Sequence, residues 1–180
     1  VYDPPTISST DITGPYTAGL SKEFQVTTTN PATGGSYTNV LFNYRITGAE
    51  LADIAQFQYL VAPDTWLDMP LNVNGSDLVG HFGPLTGFPM VPEYSATTTF
   101  RITFRTIKNY PFKLTLNDLN MANRELEKFE ATAVVNAGDF AITGSFTMQG
   151  RVPRGGIPVT LTWTDGVYSA SDTTEDLLVN

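Results

Sequence analysis

His81 is the only histidine in the 180 residues, and there is no cysteine. A catalytic imidazole needs a nucleophile to activate or a carboxylate to orient it. Neither stands in a recognisable motif around Gly80-His81-Phe82, and no Gly-x-Ser-x-Gly elbow or phosphate-binding glycine loop occurs. A single histidine cannot form a two-histidine metal site. The missing cysteines exclude disulfides, thiol nucleophiles and thiolate metal centres. The expectation is a strand or loop histidine in a chain that is not an enzyme, with no catalytic residue and no bound cofactor.

Calcium is the one cofactor left open, because it takes about six to eight oxygens, often from loop carboxylates. Two sets of residues qualify as weak candidates: Asp53 with Asp64 and Asp68, and Asp172 with Glu175 and Asp176. Neither follows the EF-hand spacing, and no Asp-x-Asp is present. Solvated loop carboxylates explain both sets, so the expected metal site is none. Trp66 and Trp163 could serve as sugar-stacking platforms, joined by Tyr59 and Tyr94. A β-sandwich usually buries a large aromatic between its sheets, so core packing is the expected role of each tryptophan. Asn74-Gly75-Ser76 matches a glycosylation sequon, but a hairpin turn explains the same residues.

The elements that must position these residues are strands. Val40, Phe42, Tyr44 and Ile46 alternate with Leu41, Asn43 and Arg45, and Phe100, Ile102 and Phe104 alternate with Arg101 and Thr103. With Phe24 and Val26, these apolar residues form the expected core. Thr6 to Ile12 reads as an edge strand after the extended Tyr2-Asp3-Pro4-Pro5. Gly48 to Ile54 has short helical or turn character. Asn74-Gly75 signals a hairpin whose two central residues both need positive φ. Eight or nine short strands with frequent turns predict a sandwich. Met121 to Lys128 is the one charge-dense, helix-permissive stretch and reads as a linker or single helical turn. The expected boundary therefore falls near residue 125, giving an immunoglobulin-like β-sandwich over 1–125 and a smaller β module over 126–180. One continuous domain is the alternative.

Composition points the same way. Charged residues make up only 16% of the chain, and the 26 threonines nearly match them in number; threonine suits the solvent face of a strand. A net charge of −8 leaves no basic footprint for nucleic acid or anionic lipid. No stretch approaches the roughly 18 apolar residues of a membrane span. Zero cysteine with abundant Thr, Gly and Asn is the composition of bacterial and archaeal extracellular surface proteins. The start at Val1 without an initiator Met reads as a processed or excised fragment.

Gly144-Ser145-Phe146-Thr147-Met148-Gln149-Gly150-Arg151, followed by Gly156-Ile157-Pro158-Val159-Thr160-Leu161-Thr162, resembles the start of a carboxypeptidase regulatory-like domain. In that family a strand ends in Gly-Arg, a Gly/Pro loop follows, and the next strand reads x-Pro-Val-x-Leu. Tyr168-Ser169-Ala170 and Thr173-Thr174-Glu175-Asp176 resemble the strand and acidic loop that come next, although Leu177-Leu178 stands where the family has Asp-Gly. The resemblance covers about 30 residues and implies a prealbumin-like, structural and non-catalytic module of a secreted or surface protein. The first module resembles immunoglobulin-like repeats of bacterial surface proteins only in strand count and loop spacing.

The fold class is therefore all-β: an immunoglobulin-like β-sandwich followed by a second, smaller sandwich module that looks incomplete alone. Truncation explains that simply. The sharper expectation is strand addition, with Val1 to Ile12 donated to a neighbouring copy so that a filament grows. Three functions fit the sequence. They are an assembly module of an extracellular surface protein, stalk, adhesin or filament; a carbohydrate-binding accessory domain of a secreted enzyme; and a module that binds a protein partner by its sheet edges. The first is preferred, at the cell surface, with protein partners that include other copies of the chain.

Overall fold

The computed structural model describes residues 1–83, 85–138, 158–162 and 169–173. The chain divides into two units, Val1–Asp139 and Phe140–Asn180. In the second unit, Pro158–Thr162 and Ser169–Thr173 pair antiparallel, with Val159 opposite Asp172. The resemblance quoted for residues 144–157 and 174–176 lies outside the described residues.

The first unit is an all-β sandwich. Its strands open with β1 (Thr6–Thr10), β2 (Tyr16–Thr17), β3 (Ser21–Thr29) and β4 (Tyr37–Ile46). A 3-10 turn at Leu51–Asp53 leads into β5 (Ile54–Ala62), β6 (Thr65–Asp68), β7 (Asn72–Asn74) and β8 (Asp77–Phe82). Then come β9 (Phe88–Met90), β10 (Ser95–Phe104), β11 (Asn109–Asp118) and β12 (Arg124–Asn136). One sheet runs β1-β3-β10-β5-β6 and the other β2-β12-β11-β4-β8-β7, with β9 also on β4.

Period-two alternation sets the faces. Phe24, Val26, Val40, Phe42, Tyr44, Ile46, Phe100, Ile102 and Phe104 are all buried, as the alternation predicts. The aromatic rings among them pack in two groups: Phe24 stacks on Phe100 at 5.4 Å in one, and Phe104 stacks on Tyr110 at 4.5 Å in the other.

Three expectations need correction. The divide between units falls after Asp139, not near 125. Arg124–Asn136 is a strand paired along β11, so most of the charge-dense stretch is neither linker nor helical turn; a 3-10 turn at Leu119–Met121 reaches only its first residue. Arg124, Glu125, Glu127, Lys128 and Glu130 suit a strand that borders a sheet, where charge blocks unwanted pairing. The second correction concerns the donor strand. Thr6–Thr10 pairs antiparallel with Gln25–Thr29 of its own unit, and Ile7 and Ile12 are buried there. A segment already paired at home is not available to a neighbour. The third is a detail of the β7–β8 hairpin. Asn74 pairs with Asp77, so Gly75 and Ser76 are the central residues, and only Gly75 has positive φ, at 63°. A glycine in the first central position is the other favoured tight hairpin turn.

Candidate functional site

The first carboxylate set is not brought together. Asp53 ends the 3-10 turn at the start of β5, and Asp64 sits in the turn after it with φ of 59°. The nine residues of β5 separate the two, about 30 Å of extended chain. Asp68 instead accepts a 2.6 Å hydrogen bond from Gln58 Nε2. Asp53 is buried, accepts from the Glu50 amide at 2.9 Å, and lies 2.7 Å from Lys108 Nζ. Burial pushes its pKa up, but the Glu50 amide and Lys108 outweigh that and hold it below the usual 3.8. Among the described residues, no group of three His, Asp or Glu could hold a metal ion. In the second set, Asp172 lies in a strand of the second unit; Glu175, Asp176 and Trp163 lie outside the described residues.

His81 occupies β8 opposite Asn43, with Nδ1 3.1 Å from the Gly83 carbonyl. Its neighbours Gly80 and Phe82 face the core side, so the imidazole faces outward.

Trp66 is not in the core, contrary to expectation. It is half-buried on β6 opposite Leu60, and the Arg101 guanidinium lies 4.2 Å from its ring centre. Arg101 Nε donates to Gln58 Oε1 at 2.7 Å, and Gln58 in turn donates to Asp68. The resulting outward cluster joins β10, β5 and β6. Sequence could not reveal it, because the order of those strands in the sheet is not their order in the chain. Tyr59 and Tyr94 do not join it. Tyr59 packs edge-on against Phe82 at 4.8 Å, on the opposite face from Trp66, and Tyr94 stacks on Phe88 at 5.8 Å.

Two further features arise from the strand ends. β5 pairs with β10 from Ile54 to Tyr59, where Tyr59 meets Phe100, and beyond that it pairs only with β6. Residues Ser95–Thr99 of β10 thus have β3 on one side and, among the described residues, no strand on the other. Behind this parting lies a cavity of about 290 Å³ between the sheets. Phe42, Phe82, Phe88 and Phe100 line it, and Thr28, Tyr94 and Thr98 add hydroxyls. The second feature is a seam along the side of the sandwich. β6 and β7 are consecutive strands that each end a sheet. Leu67 pairs with core-facing Tyr59, and Val73 pairs with fully buried Leu78. Directly paired residues share a face. Leu67 and Val73 therefore point toward the interior, yet they are 48% and 64% exposed.

No protein-family model and no curated protein matches the sequence. Among solved structures, the chain is similar to AvmM, described as catalysing macrocyclization in alchivemycin A biosynthesis. The TM-score is 0.58 with 15% identity, over 78% of this chain and 93% of that one. That likeness is one of fold. A major pilin subunit of Bacillus cereus aligns with TM-score 0.44 and 12% identity over 94% of this chain and 52% of its own. A cohesin module of a family 33 glycoside hydrolase from Clostridium perfringens reaches 0.38 and 12% over 75% and 97%. Both scores are too low to carry an argument about this chain.

Proposed function

We propose that the chain is a non-catalytic assembly module of an extracellular surface protein, and that it joins neighbouring copies through the seam between β6 and β7. The exposure of inward-facing Leu67 and Val73 carries this reading. Apolar side chains aimed at a core but left in water are stabilised when a second surface covers them. β12, which borders the other side of its sheet, is heavily charged, and that charge blocks unwanted pairing there. The surface location rests on composition, with no cysteine and abundant threonine. A sugar-binding role finds less support, because Arg101 already covers one face of Trp66.

Sedimentation equilibrium of the full chain from micromolar to millimolar concentration tests the proposal. The expected mass rises to at least a dimer, and Leu67→Lys with Val73→Lys keeps the chain monomeric. A wild-type chain that stays monomeric throughout overturns it.

A further inference from the structure

The cavity behind the β10–β5 parting goes beyond assembly. Around Phe24, Phe57 and Phe112 the core is tight: the space they bound is about 10 Å³, at the lower limit of what one water needs. Against that packing, about 290 Å³ is an anomaly. Empty apolar space forfeits dispersion contacts, and water is a poor filler where few polar groups can bond it. Cavities of roughly 150 Å³ accept a benzene ring, so this one has room for two fused rings. Its lining includes four phenylalanines and no charged side chain. A charged ligand would lose its hydration without compensation. Polar character is confined to a few hydroxyls, among them those of Thr28 and Tyr94. Access comes from the parting itself, where Ala96 and Thr98 are half-exposed on an edge that has no partner strand among the described residues.

We propose that this cavity binds a small uncharged molecule with an apolar body the size of two fused rings and one hydrogen-bonding group. The rings enter between Phe42, Phe82, Phe88 and Phe100, and the polar group meets the hydroxyls of Thr28, Tyr94 or Thr98.

Titration calorimetry with 2-naphthol as the probe tests this on the full chain, with 2-naphthoate as the charged control. The expected result is saturable binding of one 2-naphthol per chain, with 2-naphthoate at least about tenfold weaker. Ala96→Phe should fill the cavity and abolish binding while circular dichroism stays unchanged. Nuclear Overhauser contacts from naphthol protons to the methyls of Val26 and Ala96 locate the ligand in the wild-type chain, so the test stands even if that variant does not fold. Absence of saturable binding overturns the proposal. So does equal affinity for 2-naphthoate, undiminished binding by folded Ala96→Phe, or a lack of contacts to those methyls. The Leu67→Lys, Val73→Lys chain should bind 2-naphthol normally, which separates this site from the assembly seam.

Discussion

Lys108 Nζ and an Asp53 carboxylate oxygen lie 2.7 Å apart, tying the approach to β11 to the entry of β5. Asp53 also holds the Glu50 amide, so its charge closes the 3-10 turn as well as the ion pair. Asp53→Asn should cost about 1–3 kcal/mol, since it weakens a charge-assisted bond to a partly exposed lysine. Urea denaturation with an unchanged slope would measure it.

Acid should weaken the fold through the same group. The folded pKa of Asp53 lies below the ordinary 3.8, as does that of Asp77, which the Gly48 amide and Arg45 hold down. Their contribution is therefore complete above pH 3.8 and lost as pH falls through the lower folded values. Thermal melts between pH 6 and pH 2 should show the decline, and Asp53→Asn should flatten it.

At the alkaline end the sign reverses. Burial, with the nearby Asp53 charge, raises the Tyr110 phenol to about 12. Burial also raises Tyr16 and Tyr44 well above the usual 10, with the Asp11 charge adding to the shift at Tyr16. Their hydroxyls donate to the Ile12 and Pro70 carbonyls, respectively. Stability held below pH 10 should be lost as pH rises toward these folded values. Absorbance titration near 295 nm should show a late tyrosine fraction that ionises together with unfolding. Smooth titration of all tyrosines near pH 10 in a folded chain would contradict this.

Phe104 is fully buried between Tyr110 and Tyr16, whose ring centres lie 4.5 and 5.1 Å away. Phe104→Ala should destabilise by roughly 3–5 kcal/mol, because rings on both sides limit collapse into the hole. Denaturant midpoints give the value. A cost under about 1 kcal/mol would mean that the ring is not packed as described.

Arg101→Ala should uncover the Trp66 ring and cost only about 0.5–1 kcal/mol, the worth of an exposed cation–π contact. In a Trp163→Phe background, acrylamide should quench the remaining fluorescence more readily in the variant. Unchanged quenching would show that the guanidinium does not shield the ring.

Asn30 shows how a single buried polar residue can matter. Its Nδ2 donates to the carbonyls of Gly35 at 2.7 Å and Met90 at 2.9 Å, and it is fully buried. Asn30→Leu leaves both carbonyls without that donor, so a loss of about 2–4 kcal/mol is expected by calorimetry.

What the sequence determined by itself was the local pattern. Alternation along β3, β4 and β10 assigned the core faces, because side chains in a strand take opposite sides with a period of two. The absence of cysteine and of a histidine partner in sequence likewise bounded the chemistry. Tertiary structure decided whatever depends on strands distant in the chain. Met121 to Lys128 reads as a linker or single helical turn because the pairing of its charged residues with β11 is invisible to local pattern. Asp53, Asp64 and Asp68 are near in sequence, yet an extended β5 carries the first two far apart. Trp66 meets Arg101 only because β5 lies between their strands in the sheet. The cavity and the seam exist for the same reason: both arise where strands stop pairing, and pairing is a property of the sheet rather than of any one segment.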